Sequence, residues 1–208
     1  MDRPFVTATV EGVLHAPDSQ PVDAIALTHG AGTNCDAPLL KRMAQALAAN
    51  GYLVLRYNLP FRRARKGGPP HPSAAARDRE GILQAVEALR GMVSGRVFAG
   101  GHSYGGRQTA MAAAENPDAA AGLMLFSYPL HPPAKPEQKR TAYFPDLRTP
   151  ALFVHGTSDG FGSIEEMRAA IALIPAATAL LPVEGAGHDL KRAPDLIADI
   201  LEHFLIEG

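Results

Sequence analysis

The stretch GGHSYGGRQ, from Gly100 to Gln108, sets Ser103 between glycines, after an apolar run and before a helix-forming one. Gly101-His102-Ser103-Tyr104-Gly105 has the form G-x-S-x-G, which at a strand-to-helix turn holds a serine hydroxyl above the edge of a sheet. A serine is a poor nucleophile at neutral pH. It needs a base to take its proton and an acid to orient that base. Two later stretches supply them in the order such sites use. Thr157-Ser158-Asp159-Gly160 follows the strand ALFVHG and offers Asp159 as the acid. Gly185-Ala186-Gly187-His188-Asp189 follows the strand TALLPVEG and offers His188 as the base. Taken singly, each has a plain structural alternative: a turn serine, a helix cap ahead of Ser163, a surface-loop histidine. Their joint order and placement point to nucleophilic acyl chemistry.

Acyl transfer also needs N–H donors for the oxyanion. Tyr104, directly after the serine, supplies one, and the loop Thr28-His29-Gly30-Ala31-Gly32 supplies the other, with Ala31 first and Gly32 as its substitute. Arg62, Arg63, Arg65 and Lys66 follow the strand YLVLRYN, on the same sheet edge. Arg62 and Arg63 are candidates for binding a substrate carboxylate or phosphate, against the plainer reading of a charged, solvated loop. His131 and Lys135 lie in the proline-rich segment 128–150, where a flap over the site is expected, and His131 is a further substrate-binding candidate. His29, His102 and His155 each adjoin a glycine at a strand end. With no H-x-x-x-H pair and no H-E-x-x-H helix, they read as structural, and neither a metal nor an organic cofactor is expected. Cys35 reads as a small packing residue.

The elements needed to position these residues are legible. Short apolar runs recur as AIALTHG, YLVLRYN, RVFAGG, GLMLFSY, ALFVHG and TALLPVEG. Between them lie helical patterns over 37–49, 73–90, 104–115, 163–173 and 193–204. That alternation predicts an α/β fold: one domain over 1–208, a mostly parallel sheet with helices on both faces, and no large lid domain. FVTATVEGVLHAP, near the N-terminus, reads as one or two antiparallel edge strands. The segments 58–72 and 128–150 read as long loops serving a site. The chain has 208 residues, 46% hydrophobic and 20% charged, with a formal net charge of −1. No global field draws it to nucleic acid or to an anionic membrane. There is no apolar leader or spanning run, and one cysteine forms no internal disulfide, so a cytoplasmic protein is expected.

LTHGAG, RYNLPF, GGHSYGGR, the segment from YPLHPP through HGTSDGFG, and GAGHDL together resemble a small family of α/β-hydrolases. That family is related to dienelactone hydrolases and includes many bacterial proteins and a domain of a eukaryotic chromatin-complex subunit. The resemblance runs from Ala24 onward and implies Ser103 as nucleophile, Asp159 as acid and His188 as base. Two departures stand out: Gly160 occupies a position where relatives are expected to carry proline, and the dienelactone hydrolases' nucleophilic cysteine is here Ser103. The expected activity is hydrolysis of a small-molecule ester or thioester through an acyl-enzyme. The alternatives are an acyltransferase using the same residues, or a non-catalytic interaction module that keeps the fold.

Overall fold

The computed structural model describes residues 2–191 and 197–205. Eight strands form one sheet: β1 (Asp2–Val6), β2 (Glu11–His15), β3 (Ala24–Thr28), β4 (Leu53–Tyr57), β5 (Val97–His102), β6 (Leu123–Phe126), β7 (Ala151–Gly156) and β8 (Thr178–Val183). Their order across the sheet is β1-β2-β4-β3-β5-β6-β7-β8. The hairpin β1–β2 joins β4 antiparallel, and every later pairing is parallel. β3, β4 and β6 are buried along their whole length. Continuous apolar runs are what a strand covered on both faces requires, and they are why these segments read so clearly as sequence.

Six α-helices connect and cover the sheet: α1 (Pro38–Ala49), α2 (Pro60–Ala64), α3 (Ala75–Arg90), α4 (Tyr104–Glu115), α5 (Ile164–Ile171) and α6 (Ile197–Leu205). Leu40, Met43 and Leu47 of α1, with Ile200 of α6, pack on Ile25, Val54 and Phe126 on one face. Ile82, Val86 and Leu89 of α3, with Ala110 of α4, pack on Ala26, Leu55 and Leu125 on the other. The segment 58–72, expected as loop, contains the short helix α2, which Pro60 opens at its first turn. A single 3-10 turn, Pro72–Ala74, precedes α3, so that helix begins two residues later than its pattern suggests. For the last expected helix, positions 193–196 lie outside the described residues. Among the described residues, no helix is long and apolar enough to cross a membrane.

All parallel strands end on one edge. In register, Thr28 of β3 lies beside Gly101 of β5, and His102 beside Phe126 of β6. The loops after β3, β5, β7 and β8 therefore converge, and crevices at the carboxyl ends of such strands are where α/β folds bind ligands.

Candidate active site

Ser103 occupies the turn between β5 and α4 with φ 52° and ψ −116°. A non-glycine residue there carries about 1–3 kcal/mol of strain, held only by surrounding contacts. Its N–H donates to Phe126 O at 2.9 Å, and its carbonyl accepts from Arg107 N–H at 2.9 Å. The glycines make the turn possible. A Cβ on Gly105 would stand 2.5 Å from His29 O, and one on Gly101 would stand 2.9 Å from the backbone of Gly105 and Gly106.

His188 Nδ1 lies 2.8 Å from Asp159 Oδ2, and His188 Nε2 lies 2.8 Å from Ser103 Oγ. With the carboxylate accepting, Nδ1–H is the donor, which leaves Nε2 to accept from the serine hydroxyl. The Asp159 side chain is wholly buried, while His188 is 28% exposed. Burial pushes the Asp159 carboxyl up. The bond from His188, the Phe161 N–H at 2.9 Å and the nearby His155 outweigh that and hold it below the usual carboxylate range. Asp159 is therefore a carboxylate at neutral pH, able to accept from the imidazole.

The supporting contacts are as definite. Phe161, two residues past the acid, packs on His188 with ring centroids 4.2 Å apart. The acid loop and the histidine loop are tied together by Ser158 N–H donating to Ala186 O and Gly185 N–H donating to Thr157 Oγ1. His102 Nε2 donates to His188 O at 2.7 Å, fastening the histidine loop to the serine turn. His155 Nε2 donates to Gly162 O at 2.9 Å across the acid loop. His29 accepts from Leu59 N–H at Nε2 and donates from Nδ1 to Gly30 O. Burial pushes the His29 ring down to about 4, so it stays neutral in these roles. All three extra histidines hold loops, and among the described residues no group of His, Cys, Asp or Glu is arranged to hold a metal ion.

Ala31 and Tyr104, the residue after the serine, both line a cleft of about 380 Å³ with Pro69, His71, Arg107 and Met111. Neither N–H donates to a backbone or side-chain acceptor among the described residues. Gly32 lies one residue further out and is exposed. A wider groove of about 710 Å³, lined by Leu83, Glu87, Arg90 and Glu115 among others, holds none of these groups.

The basic and flap residues take other places. Arg62 is buried, and its guanidinium donates to Thr33 O and Ala31 O at 2.8 Å and to Gly68 O at 3.1 Å. Arg63 donates to Thr9 O and Ala8 O of the β1–β2 turn and faces Glu11. His131 is buried with Nδ1 on Pro132 O and Nε2 3.3 Å from Glu166. The structure brings none of the three to Ser103 with a free donor. Arg62 clamps the loop that carries Ala31, a role its place in a charged, proline-rich stretch did not suggest. Cys35 is buried against the same connection, and burial pushes its thiol up.

Asp78 went unrecognised in the sequence. It is wholly buried on α3, accepts from Tyr104 Oη at 2.8 Å and Phe61 N–H at 3.0 Å, and so ties the residue after the serine to α3. Burial raises both its carboxyl and the Tyr104 hydroxyl. The signal was present: Asp78 shares the apolar face of Ile82, Ala85 and Leu89, where a charge marks a buried polar contact.

A family description, alpha/beta hydrolase domain, matches residues 21–196. The chain belongs to the α/β-hydrolases. Solved structures of similar shape include a dienelactone hydrolase from Anabaena variabilis, with TM-score 0.77 and 19% identity over 99% of this chain and 98% of that one. Est1E from Butyrivibrio proteoclasticus gives 0.76 at 18% identity, covering 99% and 98%. An α/β serine hydrolase homologue from Coxiella burnetii gives 0.75 at 17%, covering 99% and 97%. At these identities the α/β-hydrolase shares their fold, and what its site does rests on its own residues.

Proposed function

We propose that this α/β-hydrolase cleaves small carboxylic esters or thioesters through an acyl-enzyme on Ser103. The observation that carries this reading is the unbroken path from Ser103 Oγ to His188 Nε2 and from His188 Nδ1 to Asp159 Oδ2, each 2.8 Å. The serine Oγ attacks the carbonyl carbon while His188 Nε2 takes its proton, and Asp159 stabilises the imidazolium that results. The carbonyl oxygen gains charge between the N–H groups of Ala31 and Tyr104, at the N-terminus of α4 where the helix dipole also favours it. The bond to the leaving oxygen or sulfur breaks, and that atom receives the proton from His188. A water then gives a proton to Nε2 and its oxygen to the acyl carbon, and Ser103 recovers its proton as the acid departs.

A cleft of about 380 Å³ suits a short acyl chain. Purified protein is expected to turn over short-chain esters, and Ser103→Ala is expected to lower kcat by about 10³-fold or more with the fold intact. Equal turnover by the variant would end the assignment.

A further inference from the structure

The cleft lined by Ala31 and Tyr104 contains a cation with no ion-pair partner among the described residues. Arg107 stands one helical turn beyond Ser103 on α4, and it lines the cleft together with both oxyanion donors, Ala31 and Tyr104. Its Nε is buried and bonds to nothing. No carboxylate pairs with its guanidinium among the described residues. Asp78, the buried carboxylate beside Tyr104, is instead bonded to Tyr104 and Phe61. Nor is Arg107 loose. Its N–H is held by Ser103 O, and its carbonyl accepts from Tyr143 Oη at 3.4 Å, which fastens the segment 128–150 to α4.

A second cation lies close. Arg140 of that segment donates to Pro129 O, and its guanidinium is lowered by burial first and then by the positive charge of Arg107. Arg107 has no carboxylate paired with it and a second guanidinium within electrostatic reach, an unfavourable arrangement that a ligand anion would relieve. A planar guanidinium can also meet a carboxylate bidentately through its two Nη groups, which leaves the buried Nε out of the contact.

We propose that Arg107 binds a second carboxylate on the substrate, so that the preferred substrates are short esters carrying an anionic carboxylate, with Arg140 adding to the local positive potential. This rests on the ester-hydrolase reading for its catalytic arm only. Spacing limits the distance between the two groups. Arg107 lies about one turn, roughly 5.4 Å, along α4 from the serine, so the substrates to test carry ester and carboxylate a few atoms apart.

Two matched pairs test it: monoethyl glutarate against ethyl pentanoate, with the carboxylate on the acyl side, and acetoxybutyrate against butyl acetate, with it on the alcohol side. Binding of glutarate measured by calorimetry gives a readout independent of turnover. In at least one pair the anionic ester should exceed its neutral partner in kcat/KM by about 10-fold or more. Arg107→Gln should then bring that ratio down toward one, a fall of about 10-fold or more, and abolish glutarate binding, while Arg107→Lys should restore part of both. Ratios near one in both pairs, no glutarate binding, or a ratio indifferent to Arg107→Gln would each overturn the proposal. The two readings separate cleanly. Glutarate bound through Arg107 with no ester turned over would overturn the hydrolase and keep the anion site. Neutral esters turned over without glutarate binding would do the reverse.

Discussion

At the scale of residues, a few side chains do different work with the same chemistry. Asp159 and Asp78 are both buried carboxylates close to the serine turn, yet their surroundings push them in opposite directions. Asp159 faces an imidazole and an N–H and stays low, whereas Asp78 faces a tyrosine hydroxyl and an N–H and rises with burial. Asp159 therefore fixes the tautomer of His188, with the proton on Nδ1. Asp159→Asn should keep the geometry but favour the wrong tautomer, lowering kcat by about 10⁴-fold with little change in KM. Steady-state kinetics on a short ester would check this, and a loss below about tenfold would contradict the role. Ser103, Asp159 and His188 were legible because each follows a strand end, and strand ends are visible as apolar runs. Arg62, Asp78 and Arg107 were not, because where a long or buried side chain points depends on what packs around it, which no local pattern records.

At the scale of elements, the site depends on clamps between loops. The loop after β3 is held from below by His29 and from the side by Arg62, whose guanidinium gathers carbonyls of Ala31, Thr33 and Gly68. Removing it by Arg62→Met leaves those carbonyls without their donor and frees the Ala31 N–H to drift. We expect a loss of about 2–4 kcal/mol in stability, read by denaturant unfolding. We also expect a fall of about tenfold or more in kcat/KM that is the same for neutral and anionic esters. A loss confined to anionic esters would return Arg62 to substrate binding and contradict the clamp. The strands and most helices matched their sequence patterns closely, α4 from Tyr104 to Glu115 without shift. The helix α2 was missed because five residues cannot show a hydrophobic period, and its one start signal, Pro60, stands among prolines that read equally as loop.

At the scale of the whole molecule, several buried histidines are held neutral. Burial lowers His15, His102 and His155 as well as His29, the last to about 4 from 6.5. A histidine lowered on folding binds protons better in the unfolded chain. Its effect is nil well above pH 6.5 and grows as pH falls toward 4, always against the folded state. For His29 alone the gap corresponds to about 3 kcal/mol at most. Asp159, lowered on folding, adds to the loss at more acid pH, as pH falls through its folded value. Asp78, raised on folding, works the other way over this range, but it is one group against four lowered histidines, so unfolding midpoints in denaturant should still drop from about pH 7 to about pH 4. His29→Gln should be less stable at neutral pH but show a shallower slope below it. A flat profile over that range would contradict the neutral, buried assignment.

The most direct test of the central claim is intact-mass labelling of the purified protein with a fluorophosphonate, which reacts preferentially with activated serine hydroxyls. We expect one adduct on the wild type and none on Ser103→Ala or His188→Ala. A folded wild type that takes up no label, or a Ser103→Ala variant that still does, would contradict the account.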